Sequence, residues 1–291
     1  MSNTPAIDMT RVETLIMLAL EEDLSDVGDT TSISVIGPEM QAKALLRCKE
    51  DLICAGLPVA EQVFKTVSPD LKFKALVTEG TKCQIGDVLA EITGEAEALL
   101  TAERTALNFL QRLCGIATTS GRYAATLADS KTEVLDTRKT TPGWRNLEKY
   151  AVAVGGASNH RIGLYDRIMI KDNHREMAGL EGEGGITRSV QRARDMFPKL
   201  EVEVEADTLE EVKEAVEAGA DYILLDNMTN EQMAEAVKIN GGRSKLEASG
   251  GITIERLPSI GTIGVDYVSV GALTHSVKAS DISMEIVPLE A

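Results

Sequence analysis

The polar and apolar positions of the chain fall into two rhythms. Residues 11–22 repeat apolar side chains at helical spacing. Residues 95–128 continue that period over one or two long helices, with Leu99, Leu100, Ala106, Leu107, Leu110 and Cys114 on the apolar face. Residues 42–54 and 71–93 alternate enough for short strands, Gly56–Pro58 marks a break, and residues 26–34 read as a loop. The second half is more regular. Strand-like runs end at Asp136, Lys171, Glu205, Asp226, Ser249 and Gly271, the last four spaced by 21, 23 and 22 residues. Helical patterns fill the intervals, as at 208–220 and 229–241. A strand, loop and helix at that spacing predicts parallel βα units. Polar residues at the carboxyl ends of successive apolar strands point to a TIM-like α/β barrel with its site on that rim. With six or so units visible the barrel is expected to be incomplete. An open doubly wound sheet is the alternative fold.

Composition narrows the partners. The 291 residues carry 30 Lys and Arg against 46 Asp and Glu, a net charge of −16, which argues against a general nucleic-acid binder. The apolar run Leu15–Leu20 is too short to span a membrane, and it lacks the basic flank of a secretory leader. Four cysteines without a C-x-x-C pair fit reduced thiols and a cytoplasmic protein. One stretch breaks the acidic trend. Residues 137–175 hold eight Lys and Arg (138, 139, 145, 149, 161, 167, 171, 175) against three acids, a net of +5, together with His160 and His174.

Projected onto one barrel rim, the strand ends give a two-signed pocket. Arg138, Lys139, His160, Arg161 and Lys171 supply cations, which need an anionic ligand. Glu205 and Asp226 can hold a hard cation such as Mg²⁺; for Glu205 an ion pair with a neighbouring Lys or Arg is the competing reading. Ser249, Gly250, Gly251 and Gly271 precede expected helix starts and suit a phosphate, although a plain turn explains a lone S-G-G equally well. The pocket is therefore expected to take a polyanion carrying phosphate, with carboxylates as a further option. His160 and His174 have no partners at metal-ligand spacing and read as hydrogen-bonding or core histidines. Arg104, Asn108 and Arg112 share a helix face that reads as solvated.

At these residues the chain resembles a known family. The run DTRKTTPGWRNLEKYAVAVGGASNHRIGLYDRIMIKDNH (136–174) is similar to the signature of the quinolinate phosphoribosyltransferases, also called carboxylating nicotinate-nucleotide pyrophosphorylases. The resemblance continues through EEDLSDVGDTTS (21–32), AERTALNFLQRLCGIAT (102–118), EVEVE (201–205), ILLDN (223–227), EASGGIT (247–253) and VGALTHS (270–276). It implies an N-terminal α/β sandwich (1–115), an open α/β barrel (116–273) and a tail (274–291) returning to the first domain. It implies a dimer or larger homo-oligomer in which Arg104 reaches the neighbour's site, so Arg104 becomes a substrate-binding candidate. The implied substrates are quinolinate and phosphoribosyl pyrophosphate, with Mg²⁺ assisting. Lys139, Lys171, Glu205 and Asp226 are then the catalytic candidates, and Arg138, His160, Arg161 and Lys171 the acceptor-binding ones. Three other readings compete. A Schiff-base aldolase using Lys171 conflicts with the excess of cations and the acid pair. Molybdenum-transport-associated homologues of the same fold conflict with the retained RKTTPGWR and NHRIGLYD runs. A lipoyl-like carrier, suggested by EGTKCQIGDVLAEI (79–92), lacks the Met-Lys pair of such a hairpin.

Overall fold

A computed structural model of the chain describes residues 6–37 and 40–289. In chain order its elements begin with α1 (Met9–Leu24), α2 (Thr30–Val35), β1 (Gln41–Cys48), β2 (Leu52–Ile53), α3 (Leu57–Val67), β3 (Lys72–Ala75), β4 (Lys82–Cys83), β5 (Val88–Glu95) and α4 (Ala96–Ala125). They continue with β6 (Glu133–Leu135), α5 (Arg145–Val154), β7 (Ile168–Ile170), α6 (Asp172–Met177), α7 (Gly185–Met196), β8 (Val202–Ala206) and α8 (Leu209–Glu217). The last are β9 (Tyr222–Asp226), α9 (Asn230–Asn240), β10 (Lys245–Ser249), α10 (Leu257–Ile260), β11 (Tyr267–Ser269), α11 (Ala272–His275) and β12 (Ile282–Pro288). These form two compact units. One takes the residues up to Gly121, Thr140–Gly156 and those from Leu273 on; the other takes Arg122–Lys139 and Ala157–Ala272.

The first unit is built on an antiparallel sheet in the order β12-β1-β5-β3. Strand β1 alternates strictly, burying Ala42, Ala44, Leu46 and Cys48. Its core gathers Leu46, Leu89 and Ile92 from the sheet, Phe64 from α3, and Leu99, Leu107, Leu110 and Leu113 from α4, all below 2 % exposure. Each such side chain contributes about 1.5–3 kcal/mol by leaving water. Helix α3 has no side-chain cap of its own. Glu79 replaces it, accepting from the amides of Gly56 (2.7 Å) and Leu57 (2.9 Å) and from the Tyr150 hydroxyl (2.7 Å).

Two expectations change here. The segment expected as a loop at 26–34 contains α2, whose N-terminal amides at Thr31 and Ser32 are capped by the Asp29 carboxylate at 3.2 and 3.0 Å. Arg112 is not on a solvated face. Its guanidinium pairs with the fully buried Glu148 at 2.9 Å and donates to the Thr274 and Val277 carbonyls.

The second unit carries six parallel strands in the order β7-β8-β9-β10-β11-β6. Chain order and sheet order agree except that β6, first in the chain, lies beside β11, the last. Such a cyclic order is that of a barrel. On the other side of β6, Leu135 makes one parallel bridge to Ser158, and the ring is left open between that segment and β7. The ~22-residue rhythm is thus a set of βα units. Thr208 caps α8, and Thr229 forms a reciprocal box with Gln232 at α9. Alternate residues of β8 to β11, such as Val202, Val204, Ile223, Leu225, Leu246, Ala248 and Val268, form one buried apolar set. Their neighbours face the barrel interior, and there the sequence turns polar.

Candidate active site

A cavity of about 670 Å³ opens inside the second unit. It takes every second residue of the strands: Met169 and Lys171 at β7, Glu205 from β8, Leu224 and Asp226 from β9, Glu247 and Ser249 from β10, and Ser269 from β11. Loops add Thr137, Arg138 and Lys139 after β6, His160 and Arg161, Asn227, and Gly250 with Gly251. Of the residues predicted from the sequence, all but two line this cavity. Arg104 is exposed on α4 in the first unit, and Gly271 lies two residues beyond β11 without lining the cavity.

One wall is cationic. Fully buried Asp136 fixes its backbone, accepting from the His160 amide at 2.8 Å and the Asn159 side chain at 2.9 Å. Arg161 donates to the Arg167 carbonyl at 2.9 Å. Burial, and then the charge of Arg138 beside it, pull its guanidinium below the ordinary value. Arg138 Nε is buried and makes no hydrogen bond among the described residues. Two crowded guanidinium groups, one with an unfilled donor, fit an anion that supplies acceptors and charge.

The basic stretch at 137–175 is not one patch. Arg138, Lys139, Arg161 and Lys171 line the cavity. Arg145 and Lys149 belong to the first unit, Arg175 pairs with Glu211 at 2.7 Å, and Arg167 lies over the Tyr222 ring.

The opposite wall is acidic. Asp226 ends β9 and Glu205 is the last residue but one of the adjacent β8; Glu205 is ion-paired to Lys171, which was the competing reading for this acid. Asp207 follows one strand end, and its carboxyl is raised first by burial and then by the charges of Glu211 and Asp226. Glu205 and Asp226 both face the cavity, and two such hard oxygen donors are a set that fits Mg²⁺.

Between these walls the chain turns through Ser249–Gly251. Gly250 and Gly251 have φ of +85° and +59°. A Cβ on Gly250 would overlap the Asn227 side chain, so the turn requires glycine there. Asn227 is itself left-handed at φ 53°, and its amide donates to the Ser249 carbonyl at 3.0 Å. Arg256 ties this turn to the segment after β9, donating to the Gly250 carbonyl at 3.4 Å and to the Met228 carbonyl at 2.8 Å. The bare backbone that results can approach a phosphate closely.

Beneath the rim lies a layer the sequence reading did not single out. Glu203 and Glu247 are fully buried, and their Oε2 atoms stand 3.3 and 3.4 Å from His160 Nε2. Arg167 Nη1 is 3.5 Å from Glu203, and the Ser269 hydroxyl donates to Glu247. The available signal was the period of two: Glu203 shares a face with Glu205, and Glu247 with Ser249.

A cavity with a cationic wall, an acidic wall and a glycine turn, at the carboxyl ends of an open α/β barrel, defines an enzyme that handles phosphorylated anions. Residues 116–285 match the family described as quinolinate phosphoribosyl transferase, C-terminal domain, and residues 29–114 match its N-terminal domain. The chain belongs to the quinolinate phosphoribosyltransferase family. It is 43% identical to the probable carboxylating nicotinate-nucleotide pyrophosphorylase of Bacillus subtilis over 266 residues, covering 91% of this chain and 90% of that one. It is 40% identical to the chloroplastic enzyme of Arabidopsis thaliana, covering 97% and 84%. NadC from Streptococcus pyogenes superposes with a TM-score of 0.93 at 39% identity, over 98% of this chain and 100% of that one.

Proposed function

We infer that this protein transfers the phosphoribosyl group of phosphoribosyl pyrophosphate to the ring nitrogen of quinolinate. The products are nicotinate mononucleotide, pyrophosphate and CO₂, a step of de novo NAD synthesis. The observation that carries this reading is the two-signed cavity in a chain that matches the family along nearly its whole length. Quinolinate brings two adjacent carboxylates, and the crowded Arg138 and Arg161 offer forked donors for them. Lys139 and Lys171 face the anionic donor, and the Ser249–Gly251 turn receives its 5-phosphate, with Gly271 assigned to the same phosphate.

The quinolinate nitrogen attacks the anomeric carbon as the bond to pyrophosphate breaks. Positive charge builds on the ribose, and Glu205 and Asp226 stabilise it from their wall. A bound Mg²⁺ would be held by these two acids and would neutralise the leaving pyrophosphate. The quaternised ring then accepts the electron pair left at C2 as CO₂ departs, and a proton replaces the carboxylate. No covalent nucleophile is needed; the protein positions the reactants and excludes water.

We assign Arg104 to the site of a second subunit in a homodimer or larger homo-oligomer, on the family resemblance and its exposed place on α4. The four buried free cysteines support a reducing, cytoplasmic setting. No helix among the described residues is long and apolar enough to cross a membrane.

The test is formation of nicotinate mononucleotide from quinolinate and phosphoribosyl pyrophosphate with Mg²⁺. Turnover should vanish on chelation. Nicotinate should fail as acceptor because it lacks the second carboxylate, and equal use of nicotinate would overturn the reading.

A further inference from the structure

The reaction outlined above uses the acids of the rim and leaves Glu203 and Glu247 without a task. Both are fully buried, and Glu203 Oε1 and Oε2 and Glu247 Oε2 accept no well-formed hydrogen bond among the described residues. A buried carboxylate oxygen is costly unless something compensates it.

Two occupants are possible for the space between these oxygens and His160 Nε2. One is a metal ion, since a histidine nitrogen and two carboxylates lie within 4.8 Å of one another. The imidazole excludes it. His160 Nδ1 accepts from the Arg161 amide at 2.6 Å, so Nδ1 carries no proton. In a neutral ring the proton must then be on Nε2, the atom a metal would need bare. A ligating histidine has the reverse arrangement, with its second nitrogen donating. Arg167, 3.5 Å from Glu203, already supplies the cation. The other occupant is the Nε2 proton itself, with carboxylate oxygens at 3.3 and 3.4 Å from its nitrogen.

We propose that Glu203 and Glu247 are positioning residues that hold His160 as its Nε2–H tautomer and thereby, through the Nδ1 bond to the Arg161 amide, set the cationic wall of the cavity. The chain of contacts is continuous: the two carboxylates, the imidazole, the Arg161 amide, and then the guanidinium that lines the cavity. Asp136 closes it from the other side by accepting the His160 amide. Burial and the charge of Glu203 push the Glu247 carboxyl up to about 7, as two acids sharing a small space require. The kinetic consequence rests on the quinolinate reading; the tautomer does not.

The chain has three histidines, so long-range ¹H–¹⁵N correlation of the imidazoles in the wild-type protein resolves His160 directly. The expected result is a protonated Nε2 and a bare Nδ1. A protonated Nδ1, or stoichiometric Zn²⁺ uptake that removes the Nε2 proton, overturns the proposal. In Glu203→Gln and Glu247→Gln, checked by thermal melting, the KM for quinolinate should rise about tenfold or more, as when outer-shell partners of a ligand are lost. The KM for phosphoribosyl pyrophosphate should stay within about twofold, because His160 and the Arg161 amide, through which both acids act, lie on a different loop from its Ser249–Gly251 cradle. Unchanged quinolinate KM, or equal loss for both substrates, overturns it. A wild-type protein inactive on quinolinate would sink the assigned reaction instead, and the imidazole spectrum would still decide the positioning role.

Discussion

Glu203 and Glu205 stand two residues apart on one strand and one face, and their surroundings differ completely. Glu205 reaches the cavity, pairs with a lysine that is 42% exposed, and shares its wall with Asp226. Glu203 is at 0% exposure, flanked by His160, Arg167 and Glu247. The same residue type thus faces the cavity at one level and is enclosed by protein at the next. Depth along the barrel axis decides which: at the rim, water and substrate solvate the charge, whereas on the floor only protein can.

The largest effect should come from the rim. Asp226→Asn and Glu205→Gln should each lower kcat by about 10²–10³, the usual loss when a preorganised electrostatic contact to a developing charge is removed. Steady-state kinetics with quinolinate held saturating would measure it. A pair of variants at wild-type turnover would abolish the distinction between the two levels.

Next is the floor. Glu203→Ala leaves Arg167 without its buried partner and opens a void, which should cost about 3 kcal/mol in urea unfolding. Glu247 adds a pH signature. Its carboxyl is pushed from the ordinary 4.5 to about 7 by burial, so between those values the folded state binds more protons than the unfolded one. Stability therefore falls as pH rises from about 4.5 to about 7, and the loss from this group is complete above that. Its size is on the order of 3 kcal/mol. Urea unfolding from pH 5 to pH 8 should show a steeper decline for the wild type than for Glu247→Gln. Parallel curves would mean that Glu247 is not the group that takes up the proton on folding.

The division into rim and floor was half legible in the sequence. The βα rhythm was readable because each apolar strand ends at a polar residue and is followed by a helix. Glu205, Asp226 and Ser249 stood out as the last residues before a turn. Glu203 and Glu247 were hidden inside strands that sequence logic treats as core. Their association depends on β8 and β10, non-adjacent strands, converging with a loop residue, and no spacing along the chain encodes that. The basic stretch misled in the opposite direction, since its charges are divided between two units and only four of them line the cavity. Helix α2 was missed because Thr, Ser, Ile and Val are weak helix formers. Asp29 ahead of Thr-Thr-Ser was the capping signal that outweighs them.

The smallest predicted effect bears most directly on the contrast. Glu205→Gln should alter unfolding free energy by no more than about 1 kcal/mol, the range of a pair whose lysine remains in water. Two terms oppose each other there. The variant loses the charge-assisted contact to Lys171, and it also removes the cost of holding a charged carboxylate that is only 13% exposed. On the proposed role, removing Glu205 costs turnover and little stability. Addition of Mg²⁺ with pyrophosphate should accordingly stabilise the wild type in a thermal melt and leave Glu205→Gln nearly unmoved. An equal shift in both proteins would mean that Glu205 belongs with the scaffold below it.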